Sequence, residues 1–100
     1  VFNCAASARR IAEAFGGSVV GYDCAANPTA EIPDPETQDG HDFAIVHDRF
    51  VVDFWAACIV GILDRPIFDL NCPADRAMVL RLYGPTDAWK PAEPKRLQST

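Results

Sequence analysis

Three side chains carry the chemistry that this sequence can offer. Cys4 stands at the start of the first helical stretch, His41 follows thirty-seven positions later and Asp53 twelve after that. A thiol becomes a nucleophile only as the thiolate, so it needs a base within hydrogen-bond reach. An imidazole does that work near neutral pH and can return the proton to a leaving group. The imidazole in turn needs an acceptor on its other nitrogen to fix tautomer and orientation, and a carboxylate supplies one. Each residue alone has a plainer reading. Cys4 could be a small buried residue, and His41 a strand-edge histidine. Asp53, between Val52 and Phe54, needs solvent or a partner.

The segments that must hold these residues are legible from local pattern. From Cys4 to Phe15 the chain is rich in Ala, with Ala8, Ile11, Ala12 and Phe15 on one apolar stripe, and predicts a helix. Asn3 is a good N-cap, and Gly16-Gly17 can end the helix in the left-handed conformation. Cys4 then lies in the first turn, where unpaired N–H groups and the helix dipole favour negative charge. Ser18–Cys24 reads as a strand. Residues 25–40 hold three prolines and several acidic residues, and predict a long loop suited to substrate contact.

His41–His47 and Phe50–Trp55 are two strands of a hairpin. Its register decides whether the triad can exist, because side chains alternate between faces. A two-residue turn at Asp48-Arg49 puts Asp53 on the face away from His41. A three-residue turn, His47 to Arg49, pairs Phe43 with Asp53 and brings Asp53 diagonal to His41 on one face. The turn contains no Gly, which disfavours the two-residue form.

Residues 56–63 are apolar throughout, and periodicity does not separate helix from extended chain there. Ile67–Leu70 reads as a short strand. Pro73, Asp75 and the stripe Met78, Val79, Leu82, Tyr83 predict a second helix that ends at Gly84-Pro85. The order helix, strand, loop, hairpin, strand, helix is α+β: an N-terminal helix packed on a small antiparallel sheet. One domain is expected over residues 1–85. An extended or disordered tail is expected from 86 to 100, with Trp89 as an anchor.

This arrangement resembles the papain-like fold in a minimal form, nearest to transglutaminase-like proteins and to bacterial papain-fold toxin and protein-deamidase domains. The residues that carry the resemblance are Asn3-Cys4 opening a helix, His41-Asp42-Phe43 opening a hairpin, and Val51-Val52-Asp53-Phe54-Trp55 on its return strand. It covers about residues 3–55. The resemblance implies Cys4 as nucleophile, His41 as general base and Asp53 as orienting acid. It also implies attack on an amide or acyl carbonyl of a protein or peptide through a thioester, in a peptidase, glutamine deamidase or transglutaminase. Relatives often carry an oxyanion-stabilising side chain just before the cysteine. Here Asn3, with the Cys4 backbone N–H, is the candidate, or the donor lies upstream. Trp55 is the candidate substrate contact, although core burial is the plainer reading of a tryptophan there. The reduced fold leans, by analogy, towards a secreted or translocated bacterial effector with an upstream domain or an inhibitory immunity partner.

Composition bounds the alternatives. A net charge of −5 argues against a nucleic-acid binder. The longest apolar run, Phe54–Leu63, is too short to span a membrane. The four cysteines (Cys4, Cys24, Cys58, Cys72) show no disulfide-scaffold spacing and no Cys-x-x-Cys pair, so reduced thiols in a reducing compartment are expected. The last three read as buried fillers, and neither a metal nor another cofactor is expected. Val1 in place of an initiating Met suggests a processed or excised piece. The rival reading is a non-catalytic α+β interaction domain, in which Phe54, Trp55 and Trp89 would be an exposed partner surface.

Overall fold

The computed structural model describes residues 3–36 and 38–92. The fold is α+β, with a five-stranded antiparallel sheet lying between two helices. Helix α1 (Cys4–Phe15) is followed by β1 (Ser18–Asp23), β2 (Gly40–Val46), β3 (Phe50–Val52), β4 (Ile67–Asp69), helix α2 (Pro73–Tyr83) and β5 (Lys90–Pro91). The strand order is β4-β3-β2-β1-β5, so β2 is central and the hairpin β2–β3 lies beside it.

Both faces of β2 are buried. Ala44, Val46 and Val52 form one face, where Ile11 of α1 packs. Phe43, Ile45 and Val51 form the other, joined by Phe68 and by Val79, Leu82 and Tyr83 of α2. Small side chains let α1 approach the core closely at its N-terminal end, where Ala5, Ala6, Ser7 and Ala8 are all buried. Its far end is open: Phe15, expected on the buried stripe, is 57 % exposed. Gly16 ends α1 in the left-handed conformation, at φ 72°.

The hairpin takes the three-residue turn. Its pairs are Val46 with Phe50, Ile45 with Val51 and Ala44 with Val52. His47 and Asp48 both have positive φ, 55° and 51°. Arg49 closes the turn with its N–H on the Val46 carbonyl at 3.1 Å. Its guanidinium also grips Asp69 of β4 with two bonds of 2.9 and 2.8 Å. That grip, with a bond from the Asn71 N–H, holds the Asp69 carboxyl down to about 2.

Three expectations change, and one open question closes. The return strand stops at Val52, so Asp53 lies just beyond the ladder, its N–H on the Pro66 carbonyl at 2.7 Å. The apolar run after it winds into a π-helical turn, Trp55–Ile59. Cys58 is exposed and Cys24 and Cys72 are half-buried, so none of the three is a buried filler. The sheet also continues past residue 85. Lys90 and Pro91 pair with Gly21 and Val20, and Trp89 sets its Nε1–H on the Tyr83 carbonyl at 2.9 Å. The expected tail therefore begins inside the fold, and its remainder, 93–100, lies outside the described residues.

The long loop is stitched to the end of α2. Glu31 and Ile32 donate their N–H groups to the Arg81 and Leu82 carbonyls, and the Asn27 amide donates to the Tyr83 carbonyl at 2.8 Å. These are carbonyls that the end of a helix leaves unpaired. Gly84 follows at φ 74°, and a Cβ there would lie 2.1 Å from Asn27 Oδ1, so only glycine lets the loop come this close.

Candidate active site

The turn length puts His41 and Asp53 on the same side of the sheet. His41 faces Tyr22 across β1–β2, and the hairpin register continues to bring Asp53 beside it. The His41 Nε2 and Asp53 Oδ2 are 2.6 Å apart, with both side chains fully buried. Leaving the ladder frees the Asp53 carboxylate to serve three donors. Oδ1 accepts the Ala56 N–H at 3.0 Å and so caps the π-helical turn, while Oδ2 accepts the Tyr83 hydroxyl at 2.8 Å as well as the imidazole. π-helical turns are rare and recur at functional sites.

Aromatic rings enclose the imidazole. Phe43 and Tyr83 lie nearly parallel to it at 5.9 and 6.1 Å, Trp55 is tilted at 5.2 Å and Tyr22 meets it edge-on at 6.4 Å. Trp55 is 8 % exposed, so its main contact is the imidazole and the core around it.

Cys4 is the first residue of α1 and is half-buried against the same core. With Nε2 committed to Asp53, Nδ1 is the nitrogen left for the thiol, and it is buried with no aligned hydrogen-bond partner. Burial by itself pushes the His41 pKa down. The bond to Asp53 and the interaction with Cys4 outweigh it and raise it to about 9. The imidazole thus stands between Asp53, which orients it, and the Cys4 thiol, whose proton it can accept. Tyr22 and Tyr83 are held well above the usual phenol range, first by burial and then by nearby negative groups, so both remain neutral donors.

The Asn3 side chain caps α1, its Oδ1 accepting the Ala6 N–H at 2.8 Å, and its carbonyl takes the Ser7 N–H at 3.0 Å. Helix geometry leaves the N–H groups of Cys4 and Ala5 as first-turn donors with no intrahelical acceptor. The Asn3 carboxamide oxygen is thus committed to the helix, which leaves its NH2 and the Cys4 and Ala5 N–H groups as the candidate oxyanion donors.

The structure brings Cys4, His41 and Asp53 together and places Asn3 beside them. Tyr83 was missed by sequence reasoning, which assigned it to the apolar stripe of α2. The available signal was that a buried tyrosine hydroxyl needs a partner. Among the described residues no group of His, Cys, Asp and Glu could hold a metal ion. Next to the short 3-10 turn Cys24–Ala26, the long loop borders an open cleft of about 610 Å³ lined by Asp23, Cys24, Pro28, Pro33 and Asp39. Burial, then Asp39, Asp23 and Asp34, push the Cys24 thiol pKa up. Comparison with protein-family models, with curated proteins and with solved structures finds no match to this chain.

Proposed function

We propose that this domain is a cysteine-dependent hydrolase or acyl transferase of papain-like type, acting on an amide bond of a protein or peptide. The observation that carries the reading is the buried His41–Asp53 pair at 2.6 Å, with Cys4, at a helix N-terminus, near enough to His41 to raise its pKa. The Cys4 thiolate attacks the carbonyl carbon, and the carbonyl electron pair moves to oxygen beside the first-turn N–H groups. The imidazolium Nδ1–H protonates the departing amine as the C–N bond breaks, leaving a thioester and a neutral imidazole. Water, deprotonated by that imidazole, adds to the thioester carbonyl, and the C–S bond breaks to release the carboxylic acid and restore the Cys4 thiolate beside the imidazolium. An amine acceptor in place of water makes the reaction a transglutamination, and a glutamine side chain as substrate makes it a deamidation.

The test compares alkylation of the four cysteines by iodoacetamide at pH 6–7, mapped by peptide mass spectrometry, in the native chain and in His41→Ala. Cys58 is exposed and serves as the ordinary thiol. Cys4 is expected to react at least ~10-fold faster than Cys58, an advantage that His41→Ala removes. Cys4 no faster than Cys58 and indifferent to His41 would overturn the enzyme reading in favour of a non-catalytic interaction domain. Of the three residues expected to form a partner surface in that alternative, Trp55 is buried and Phe54 and Trp89 are half-buried.

A further inference from the structure

We propose that Tyr83 is a positioning residue of the His41–Asp53 pair: its hydroxyl holds Asp53 Oδ2 in place and sets how tightly the imidazole keeps its proton. The inference rests on the enzyme reading above and adds a residue to the same site. The Tyr83 hydroxyl bonds to Asp53, so its action runs through Asp53.

The geometry makes a specific demand. One carboxylate oxygen, Oδ2, accepts from both His41 Nε2 at 2.6 Å and Tyr83 Oη at 2.8 Å. Two donors on one oxygen share its negative charge. A carboxylate relieved of one donor is a stronger acceptor for the other. The carboxylate cannot swing to compensate, because Oδ1 is fixed by the Ala56 N–H at 3.0 Å. Tyr83 is itself immobilised. It is 0 % exposed, it packs on Phe43 with centroids 4.7 Å apart, and its carbonyl receives both the Asn27 amide and the Trp89 Nε1–H. A residue held from both ends can pin the acid at one position.

The polar groups facing His41 are few. They are Asp53 from the segment after β3, Cys4 from α1, Tyr83 from α2 and Tyr22 from β1. The Tyr22 hydroxyl donates to the Ile32 carbonyl, away from the pair. Asp42, next in β2, points to the opposite face of the sheet. Among the described residues, the Tyr83 hydroxyl is the donor that shares the Asp53 oxygen that His41 uses.

Removing that hydroxyl with Tyr83→Phe leaves the ring and deletes one donor. Asp53 then pulls harder on the imidazolium proton, and the His41 titration moves to higher pH, by roughly half a unit or more. The readout is proton NMR of the two histidines. The second histidine, His47, is exposed in the hairpin turn, so its signal is separable from that of buried His41. A role confined to packing would lower the unfolding midpoint and leave the His41 titration where it is, and that outcome overturns the proposal.

Should Tyr83→Phe fail to fold, biosynthetic replacement of both tyrosines by 3-fluorotyrosine keeps every contact and makes the phenol a stronger donor. The His41 titration is then expected to move down, and an unmoved midpoint overturns the proposal equally. Neither measurement uses Cys4 reactivity. A silent Cys4 in the alkylation experiment would remove the enzyme reading while leaving the Tyr83–His41 coupling measurable on its own.

Discussion

Asp53 serves three donors in a dry pocket, and its charge decides the protonation of His41. A histidine so placed ties stability to pH. Its folded pKa is raised to about 9, above an unfolded value near ~6.5. Between those values the folded state binds more protons than the unfolded state, so stability falls as pH rises. The contribution is fully present below ~6.5 and is lost as pH passes through about 9. We expect urea unfolding to show a loss on the order of 1–3 kcal/mol across that window. In Asp53→Asn the charge is gone, burial dominates, and the imidazole pKa drops below its unfolded value. The histidine contribution then reverses sign and rises with pH near ~6. A native chain whose histidine-dependent stability is flat from pH 6.5 to 9 would remove the charged pair.

At the scale of elements, the hairpin turn does the positioning. Of the two turn lengths the sequence allowed, the missing Gly in His47-Asp48-Arg49 disfavoured the shorter, and the structure takes the longer, with Ala44 opposite Val52 and Ile45 opposite Val51. That same register brings Asp53 to His41, so the pair was legible before the fold was. The π-helical turn was not, since residues 56–63 are apolar on every side and carry no period. Nor was the early end of β3, which depends on Asp53 capping that turn rather than on strand propensity. The exposed end of α1 was misread for a related reason. Its Phe15 fits the apolar stripe, but the helix buries Ala5, Ala6 and Ala8 at its other end and leaves Phe15 on the rim of an open apolar hollow with Val46, Phe50, Val52 and Ile67. The turn geometry carries its own expectation. Asp48 sits at φ 51°, where a β-branched side chain is strained. Asp48→Val should lower stability by ~1–2 kcal/mol, whereas Asp48→Gly should leave it within ~1 kcal/mol of the native chain. Because the two apolar faces hold the register, Cys4 alkylation should be unchanged in both. A Cys4 rate that collapses in Asp48→Gly would show that the turn residue itself, and not its length, places the acid.

For the whole molecule, the end of α2 is the junction where separate parts of the chain meet. The long loop arrives there through Asn27, Glu31 and Ile32, and the last strand arrives through Trp89. Both close on the carbonyl end of the helix whose Tyr83 reaches Asp53. The segment after Gly84 therefore belongs to the domain's support. Trp89 packs edge-on against Phe43 at 4.9 Å and Tyr83 at 6.5 Å, and the chain beyond it pairs with β1. Trp89→Ala removes that packing and one of two donors to the Tyr83 carbonyl, and should cost ~2–4 kcal/mol in urea unfolding. Trp89→Phe keeps most of the packing and loses only the donor, for ~1 kcal/mol, because the Asn27 amide still serves the carbonyl. A chain ending at Pro85 should lose more than Trp89→Ala, since β1 then gives up its neighbour at that edge as well. If the shortened chain were as stable as the full one, the sheet would be complete at four strands and the support for Tyr83 would come from Asn27 alone. The graded loss, Phe below Ala below truncation, is the pattern expected when one aromatic side chain joins the sheet edge to the helix that holds the acid.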